Sequence, residues 1–333
     1  MGNRLGSEAV RFKHVYCLMF TIATFGTSQA LAQQYPSKPI RVIVAIAAGS
    51  LTDVVLRTAG REMLGSLGQP LVIENRPGGN MMIAPEVCAK AAPDGYTFCQ
   101  VSNTVISVNP HIYSKLAYDP DRDFKPVTLL FYLSQGLIAS ALLPVNSVKE
   151  MQALAAAKPG SINFGTLGEG TGPDIFRQWL NERWKTNMIG IPYTGANLIM
   201  NALIAGDIHL TQIGPGPFSG QLRAGKIKML AVDTPKRSRL FPDVPTYLEV
   251  GLDGFSEKLW WGLFAPAGTP DEMVRRINTE FLRVFQNPKF IEYLDNQFIE
   301  PAVTTTPDEF AAFVKQDRVR AGLMVKRYNI PRR

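Results

Sequence analysis

The chain has 333 residues, of which 46% are hydrophobic and 19% are charged, a composition typical of a folded globular protein. Its formal net charge is +7, but the basic residues are spread along the chain and form no long basic run. Because nucleic-acid-binding proteins concentrate basic residues in a patch or stripe, this pattern argues against a nucleic-acid partner. The length is sufficient for two compact lobes, each with its own buried core.

Residues 1–32 have the pattern of a secretory signal peptide. A basic start with Arg4, Arg11 and Lys13 precedes an apolar segment at 15–26, and Ala30-Leu31-Ala32 matches the A-x-A cleavage pattern. A membrane anchor is the alternative, but the apolar segment is shorter than the roughly 20 residues that a membrane-spanning helix needs. We therefore expect cleavage near Ala32 and export of the mature chain to the periplasm.

Two cysteines, Cys88 and Cys99, remain after the expected cleavage. They flank Ala92-Pro93-Asp94-Gly95, a strong turn signal that brings the neighbouring segments together. Export places both thiols in an oxidising compartment, where disulfides persist. We expect a Cys88–Cys99 disulfide, with two separately buried thiols as the alternative.

The first part of the mature chain alternates between strand and helix patterns. An apolar run at 42–47 is typical of a strand buried on both faces, and apolar residues recur at helical spacing over 55–64. A short strand at 71–74, a helix ending near Ala91 and a strand at 96–102 continue the series. This alternation predicts a doubly wound α/β lobe.

A second alternating series begins after residue 124 and predicts another α/β lobe. Ser147 and Glu150 form a capping box that starts one of its helices. The last third is mainly helical, and Thr269 and Thr306 begin two similar Thr-Pro-Asp-Glu helix starts, each with the threonine as the cap.

The two series predict a particular division of the chain. We expect a signal peptide at 1–32, a discontinuous first lobe at 33–130 plus 256–333, and a second lobe at 131–255.

The sequence contains no recognisable catalytic or metal-binding motif. The mature chain has two histidines, His111 and His209, and neither lies near a nucleophile motif such as G-x-S-x-G. Neither H-E-x-x-H nor a Cys/His cluster at metal-ligand spacing occurs. We therefore expect no catalytic residue, no metal and no cofactor, with a pair of carboxylates hidden from sequence reasoning as the open alternative.

Segments rich in glycine and hydroxyl residues follow predicted strands in both lobes. Segment 165–172 (GTLGEGTG) lacks both the Lys-Ser/Thr ending of a phosphate loop and the spacing of a dinucleotide site. Segments 48–53, 103–104 and 193–196 have similar positions after strands. Such segments share the carboxyl edge of a parallel sheet, where free N–H groups at helix starts attract anions. They predict an anion site between the lobes, with ordinary capping turns as the alternative.

Several short motifs occur in a fixed order along the mature chain. They include YPSKPIR at 35–41, ENRPG at 74–78, AAPDGYT at 91–97, PYTG at 192–195 and APAGTP at 265–270. In this order they resemble the Bug-type solute receptors, the substrate-binding proteins of tripartite tricarboxylate transporters. The resemblance covers essentially the whole mature chain.

The resemblance implies a two-lobed periplasmic-binding-protein (Venus-flytrap) fold, in which each α/β lobe is a sheet flanked by helices. It also implies a monomeric receptor, not an enzyme, that binds a small carboxylate in the interlobe cleft. Such a receptor would deliver its ligand to integral membrane transporter subunits. A ligand-sensing protein for a signalling partner and, less favoured, a secreted hydrolase are the alternatives.

Combining the strand-end segments with this resemblance gives a set of expected ligand-binding residues: Ser50, Thr52, Asp53, Asn103, Thr104, Gly168, Thr171, Gly172, Tyr193, Gly195 and Ala196. Hydroxyl and backbone N–H groups would hold one carboxylate by charge-assisted hydrogen bonds. Asp53 has two open roles, because it would repel a carboxylate: it caps its helix or accepts a donor group of the ligand.

The chain departs from the family pattern at two of these loops. Leu51 lies where the family usually has glycine before Thr-Asp, and it adds bulk beside the expected carboxylate. Asp174 lies where the second-lobe loop commonly ends in histidine. These departures predict an altered pocket that suits a more apolar or aromatic carboxylate.

Overall fold

The structure, a computed structural model, describes residues 35–255 and 258–332. The expected signal peptide and its cleavage point lie outside these residues. The fold described below is that of the compact unit Lys38–Arg333. Within the described part of the chain, no helix combines the length and apolar character needed to cross a membrane.

The helices and strands alternate through most of the chain. The first series is β1 (Ile40–Val44), α1 (Leu51–Leu67), β2 (Leu71–Asn75), α2 (Ile83–Ala89), β3 (Thr97–Ser102), α3 (Asn109–Ile112) and β4 (Phe124–Leu133). The second series is β5 (Gly136–Ser140), α4 (Val148–Ala157), β6 (Asn163–Thr166), α5 (Gly172–Trp184), β7 (Ile189–Pro192), α6 (Ala196–Ala205), β8 (Leu210–Ile213), α7 (Ser219–Arg223) and β9 (Ile227–Val232). The chain ends with β10 (Leu259–Pro266), α8 (Asp271–Phe285), α9 (Pro288–Asp295), β11 (Ile299–Pro301) and α10 (Pro307–Arg327).

These strands form two mixed sheets, one in each lobe. The first sheet has the order β11-β4-β10-β3-β1-β2, and the second has the order β7-β6-β8-β5-β9. In the first sheet β1 is parallel to β2 and β3, and in the second β6 is parallel to β7 and β8. The expected two-lobed α/β architecture, with each sheet flanked by helices, is confirmed.

The chain crosses between the sheets twice. It leaves the first sheet after Leu133, enters the second at Gly136, and returns between Val232 and Leu259. The two crossings are joined by hydrogen bonds: the Asp233 N–H donates to the Gln135 carbonyl at 2.9 Å, and the Gln135 N–H donates to the Asp233 carboxylate. The lobe boundaries expected at 130 and 256 remain predictions, since the sheet assignments define no domain limit to the residue.

Of the three helix caps predicted from the sequence, the structure confirms two and contradicts one. Ser147 and Thr306 each accept a hydrogen bond from the N–H three residues later, so both expected caps are confirmed. The expected Thr269 cap is wrong, because α8 begins one residue later than predicted and has Pro270 at its cap position. The buried Thr269 hydroxyl instead donates to the Pro266 carbonyl at 2.7 Å.

A disulfide joins α2 to β3 in the first lobe. The bonded cysteines, Cys88 and Cys99, have Cα atoms 6.2 Å apart, within the normal range for a disulfide. Both are fully buried in an apolar cluster that includes Ile43, Trp260 and Phe310. The bond therefore fixes a short helix to the central part of the sheet from inside the core.

The C-terminal strap, which we define as residues 324–330, continues from α10 of the first lobe toward the second. Met324 and Ile330 belong to one apolar cluster with Val108 of the first lobe and Ile175 of the second. A Cβ atom placed on Gly170 would lie only 2.8 Å from Ile330 Cγ2, so the tail packs directly against the glycine-rich loop. Arg327 adds an exposed ion pair with Glu182 at 2.6 Å.

We predict that reduction of the Cys88–Cys99 disulfide lowers the free energy of unfolding by about 2–3 kcal/mol, because the unfolded chain then regains the entropy of a short loop. Urea unfolding with and without a reductant measures the difference. The double variant Cys88→Ala/Cys99→Ala is the control, since its stability should not respond to the reductant. Equal stability of the oxidised and reduced wild type would contradict the prediction.

Candidate functional site

The expected binding segments lie at the carboxyl edges of the two sheets. Residues 45–53 and 103–104 follow the parallel strands β1 and β3, whereas 167–172 and 193–196 follow β6 and β7. A contact between the lobes links these edges: a Cβ atom on Gly216, which follows β8, would lie 3.8 Å from Leu51 Cδ2. The two carboxyl edges therefore meet where the first loop approaches the segment after β8.

Asp53 holds the first loop in place. It is the third residue of α1 and is 1% exposed. Its Oδ2 accepts hydrogen bonds from the Gly49 N–H at 2.9 Å and from Arg57 Nε at 3.0 Å, and its Oδ1 accepts one from Asn75 Nδ2 at 2.9 Å. Neither role that the sequence left open is shown: Asp53 accepts from the N–H of Gly49, which precedes the cap residue Ser50, so it supports the loop and not an N–H of α1.

Burial alone would raise the pKa of Asp53, but hydrogen bonds from Arg57, Asn75 and the Gly49 N–H outweigh it. The pKa of this carboxyl therefore lies below its ordinary value, and the group is ionised at neutral pH. Its negative charge is paired with Arg57 of the same helix, so it repels a second anion less than an isolated carboxylate would.

Asp174 repeats this arrangement in the second lobe. It is the third residue of α5, it is 4% exposed, and its Oδ2 accepts a hydrogen bond from the N–H of Gly170, four residues earlier, at 3.1 Å. Its Oδ1 accepts from Arg177 Nη2 at 2.7 Å and Nε at 3.1 Å. We call each aspartate, with its arginine and its loop N–H, a carboxylate clamp. The departure at Asp174 thus gives both lobes the same loop support.

Ser50 and Thr52 supply buried hydroxyl groups that have no partner among the described residues. Ser50 occupies the cap position of α1 but makes no capping hydrogen bond, and Thr52 is 3% exposed. A buried hydroxyl without a partner costs about 1–3 kcal/mol, so native proteins pair such groups with protein, water or ligand. Both groups therefore have hydrogen-bonding capacity at the start of α1 that no described residue uses.

Thr171 and Gly168 form hydrogen bonds to each other instead. The Thr171 hydroxyl donates to the Gly168 carbonyl at 2.6 Å, and the Thr171 N–H donates to the same carbonyl at 3.3 Å. Since a hydroxyl has a single proton, Thr171 can donate to a ligand only by giving up this bond. The backbone of Gly168 has a φ of +109°, a conformation that favours glycine. Gly172 is the first residue of α5 and is exposed.

Asn103 and Thr104 begin an irregular helical turn directly after β3. Asn103 is 7% exposed, and its Nδ2 donates to the Lys258 carbonyl at 3.4 Å, while its Oδ1 has no partner among the described residues. Lys258 lies in the crossing that returns from the second lobe, so Asn103 lies beside that crossing. Asn103 therefore links the edge of the first sheet to the crossing that returns from the second lobe.

Tyr193, Gly195 and Ala196 lie at the start of α6. The N–H of Tyr193 donates to the Thr166 carbonyl at 2.9 Å. The ring of Tyr193 is partly buried and packs against the apolar cluster around Ile199. Gly195 is the cap residue of α6 and Ala196 its first residue, both half-buried. This segment therefore places backbone groups and the edge of an aromatic ring at the carboxyl edge of the second sheet.

Sequence reasoning missed the partners that complete both clamps and a polar group inside the first sheet. Arg57, Asn75 and Arg177 were not singled out, although an Asp with Arg three or four residues later is a readable helix pattern. Gln100 is fully buried on β3 and its amide has no partner among the described residues. Its only sequence signal is a polar residue within an apolar strand.

The histidines have structural roles. His111 Nε2 lies 3.0 Å from the Arg318 carbonyl, and His209 Nδ1 accepts from the Asn163 N–H at 2.9 Å. Burial lowers the pKa of His209. Over residues 35–255 and 258–332, no three His, Cys, Asp or Glu side chains are grouped to hold a metal ion.

Two open depressions lie outside the meeting point of the loops. One of about 1160 Å³ is on the second lobe between α4, α5 and residues 243–252. Another, of about 350 Å³, lies beside the glycine-rich loop and is bordered by Asp174, Arg177 and Ile330 of the C-terminal strap. Neither depression is lined by any of the expected binding residues.

Two α/β lobes joined by two crossings, with strand-end loops that approach across them, define a solute-binding protein of the periplasmic-binding-protein type. The family model described as tripartite tricarboxylate transporter family receptor matches residues 55–330. The chain belongs to this family.

Relatives and solved structures agree with this assignment. A UPF0065 protein from Bordetella pertussis is 32% identical over 93% of this chain and 97% of its own length. The structure of periplasmic binding protein BugD is 30% identical, with a TM-score of 0.75 over 90% of this chain and 100% of that one. The structure of R. palustris Rpa4515 with adipate is 27% identical, with a TM-score of 0.79 over 90% of this chain and 100% of that one. MatC from Rhodopseudomonas palustris, solved with bound malate, is 30% identical, with a TM-score of 0.72 over 87% of this chain and 100% of that one.

We predict that Asp53→Asn lowers the free energy of unfolding by about 2 kcal/mol at neutral pH, because it breaks the carboxylate clamp. The wild-type advantage should be complete above the ordinary aspartate pKa of 3.8 and disappear as the pH falls through the lower pKa of the folded protein. Urea unfolding at about pH 7 and about pH 3 measures both effects.

Glu86→Gln is the matched control, because Glu86 forms an ion pair with Lys90 at the same spacing on an exposed helix surface. It should change stability by no more than about 0.5 kcal/mol. An Asp53→Asn effect as small as that of Glu86→Gln would show that the clamp does not stabilise the fold.

Proposed function

We propose that this protein is an exported solute receptor that binds a small carboxylate between its lobes and delivers it to the membrane subunits of a tripartite tricarboxylate-type transporter. Membership of the receptor family supports the binding role, and similar proteins of known structure carry adipate or malate. A signal-peptide pattern at residues 1–32 supports export.

The observation that carries the proposal is a pair of hydroxyls at the start of α1, those of Ser50 and Thr52, that have no partner among the described residues. The N-terminus of a helix has free N–H groups and a partial positive charge, which together favour an anion. The carboxylate clamp keeps this loop in position before ligand arrives, so little entropy is lost on binding. A ligand carboxylate would accept hydrogen bonds from these donors without any cationic side chain.

The second lobe would close over the ligand. Its loop after β6 is fixed by the clamp of Asp174, and Tyr193 provides a partly buried ring at the next strand end. The crossings joined at Gln135 and Asp233 would act as the hinge. Binding and release, with no bond made or broken, are sufficient for this function.

A thermal-shift screen of the mature chain, residues 33–333, tests the receptor function with mono-, di- and tricarboxylates, aromatic acids and amino acids. A ligand that binds only the folded state should stabilise it by about 2.7 kcal/mol at 100 times its Kd, which raises the melting temperature. Chromatography of the recovered ligand should show it unchanged. No shift with any acid, after removal of co-purified ligand by unfolding and refolding, would refute carboxylate binding, and conversion of the ligand would favour the hydrolase.

We predict that Thr52→Val weakens binding of the ligand found in that screen by roughly ten- to a hundredfold, the loss expected for a hydrogen bond to a charged group. The stability of the ligand-free protein should stay the same or rise, because the variant removes a buried hydroxyl that lacks a partner among the described residues. Calorimetric titration and urea unfolding measure the two effects.

Thr58→Val in the same helix is the matched control. The Thr58 hydroxyl already donates to the Val54 carbonyl at 2.8 Å, so its removal should leave the affinity unchanged. Equal affinities of wild type and Thr52→Val would remove Thr52 from the site.

A further inference from the structure

Leu51 occupies the meeting point of the two lobes. It is the first residue of α1 and is half-buried, with its Cδ2 3.8 Å from the Cβ position of Gly216. A Cβ atom on Gly216 would also lie 2.8 Å from the Gln297 carbonyl oxygen, so that backbone is held close on its other side. Pro215 and Pro217 flank Gly216 and fix their own φ angles, and Pro217 also restricts the backbone conformation of Gly216. In this arrangement of the lobes, Leu51 therefore faces a locally stiff backbone segment.

The segments around this point contain little positive charge. Neither lysine nor arginine occurs in 46–53, 103–104, 167–172 or 193–196. The arginines that follow two of these segments, Arg57 and Arg177, are engaged in the carboxylate clamps. Acidic residues are present, in contrast: Asp53 and Asp174 in the clamps, and Glu169 in the glycine-rich loop.

Exposed apolar side chains occur on the same edges. Val54 lies in the first turn of α1, Leu167 directly follows β6, and Leu198 lies in the first turn of α6. Their exposed fractions are 41%, 41% and 49%. With Leu51 they give both lobes apolar surface beside the loops that carry the hydroxyl groups.

These observations together constrain the ligand. One carboxylate can be held by the hydroxyl and N–H groups at the start of α1. A second carboxylate would lose its hydration beside apolar side chains and acidic residues, with no cation from these segments to pair with it, at a large cost in free energy. A hydrocarbon body placed there would gain free energy by burying apolar surface.

We infer that the site selects a monocarboxylate with an apolar body, and that Leu51 is the specificity-determining residue that excludes a second carboxylate. This inference rests on the proposed receptor function and defines its substrate class. Selection arises because Leu51, which lies between Ser50 and Thr52, and the Gly216 segment opposite it meet the part of the ligand that lies beyond its bound carboxylate.

Matched pairs of acids test the inference directly. Hexanoate and adipate share a six-carbon chain, and benzoate and terephthalate share an aromatic ring, so that each pair differs by one carboxylate. Calorimetric titration of the mature wild-type chain should show the monocarboxylate binding at least about tenfold more tightly in one or both pairs. Tighter binding of the dicarboxylate, or equal affinities within both pairs, would overturn the inference.

Leu51→Ala tests the role of the side chain. Truncation should weaken binding of the preferred monocarboxylate by about tenfold and reduce its advantage over the matched dicarboxylate, because apolar contact is lost and space for water opens. Leu64→Ala, at a 48% exposed leucine near the other end of α1, should leave both affinities unchanged. An unchanged preference in Leu51→Ala would exclude Leu51 as the determinant.

The outcomes separate this inference from the proposed function. If another carboxylate class binds while all four acids fail, the receptor function stands and the inference is wrong. If no carboxylate of the wider screen binds, both are wrong.

Discussion

The hydrogen bond from a loop N–H to an aspartate at the third position of the next helix recurs in both lobes, and the cleft edges depend on it. Asp53 and Asp174 each accept such a bond from the residue four positions earlier and pair with an arginine on the same helix. Each clamp helps to fix its loop, and in each the arginine is paired with the aspartate.

Both lobes have a carboxylate clamp, but the hydroxyl groups beside the two clamps differ in their hydrogen bonding. In the first lobe the Ser50 and Thr52 hydroxyls have no partner among the described residues. In the second lobe the Thr171 hydroxyl closes its own loop by donating to Gly168. The first-lobe loop therefore has hydroxyl groups without a partner among the described residues, whereas the second-lobe loop is closed by its own hydrogen bond.

The architecture was largely readable from the sequence, because continuous apolar strands and helical periodicity report burial directly. The family and the two α/β lobes were predicted correctly, as were the caps at Ser147 and Thr306. The cap at Thr269 was predicted wrongly because its hydroxyl donates to the carbonyl of Pro266, three residues earlier. Asn75 was missed because it reaches Asp53 only after the chain has folded, whereas Gly170 and Arg177 lie within four residues of Asp174 and form a local pattern that was overlooked. Local patterns show which groups can form hydrogen bonds, but they do not choose between competing local partners and do not show distant ones.

The C-terminal strap has a consequence for how the protein is handled and labelled. Ile330 is 8% exposed and packs against Gly170, three residues before the sequence ends. Breaking that contact would expose apolar surface to water at a cost of about 1–2 kcal/mol. Two conformations of a protein typically differ in free energy by a few kcal/mol, so this cost is a measurable fraction of such a difference. A fluorophore at Asn329, next to Ile330, would therefore lie beside a contact between the lobes and would report on their separation.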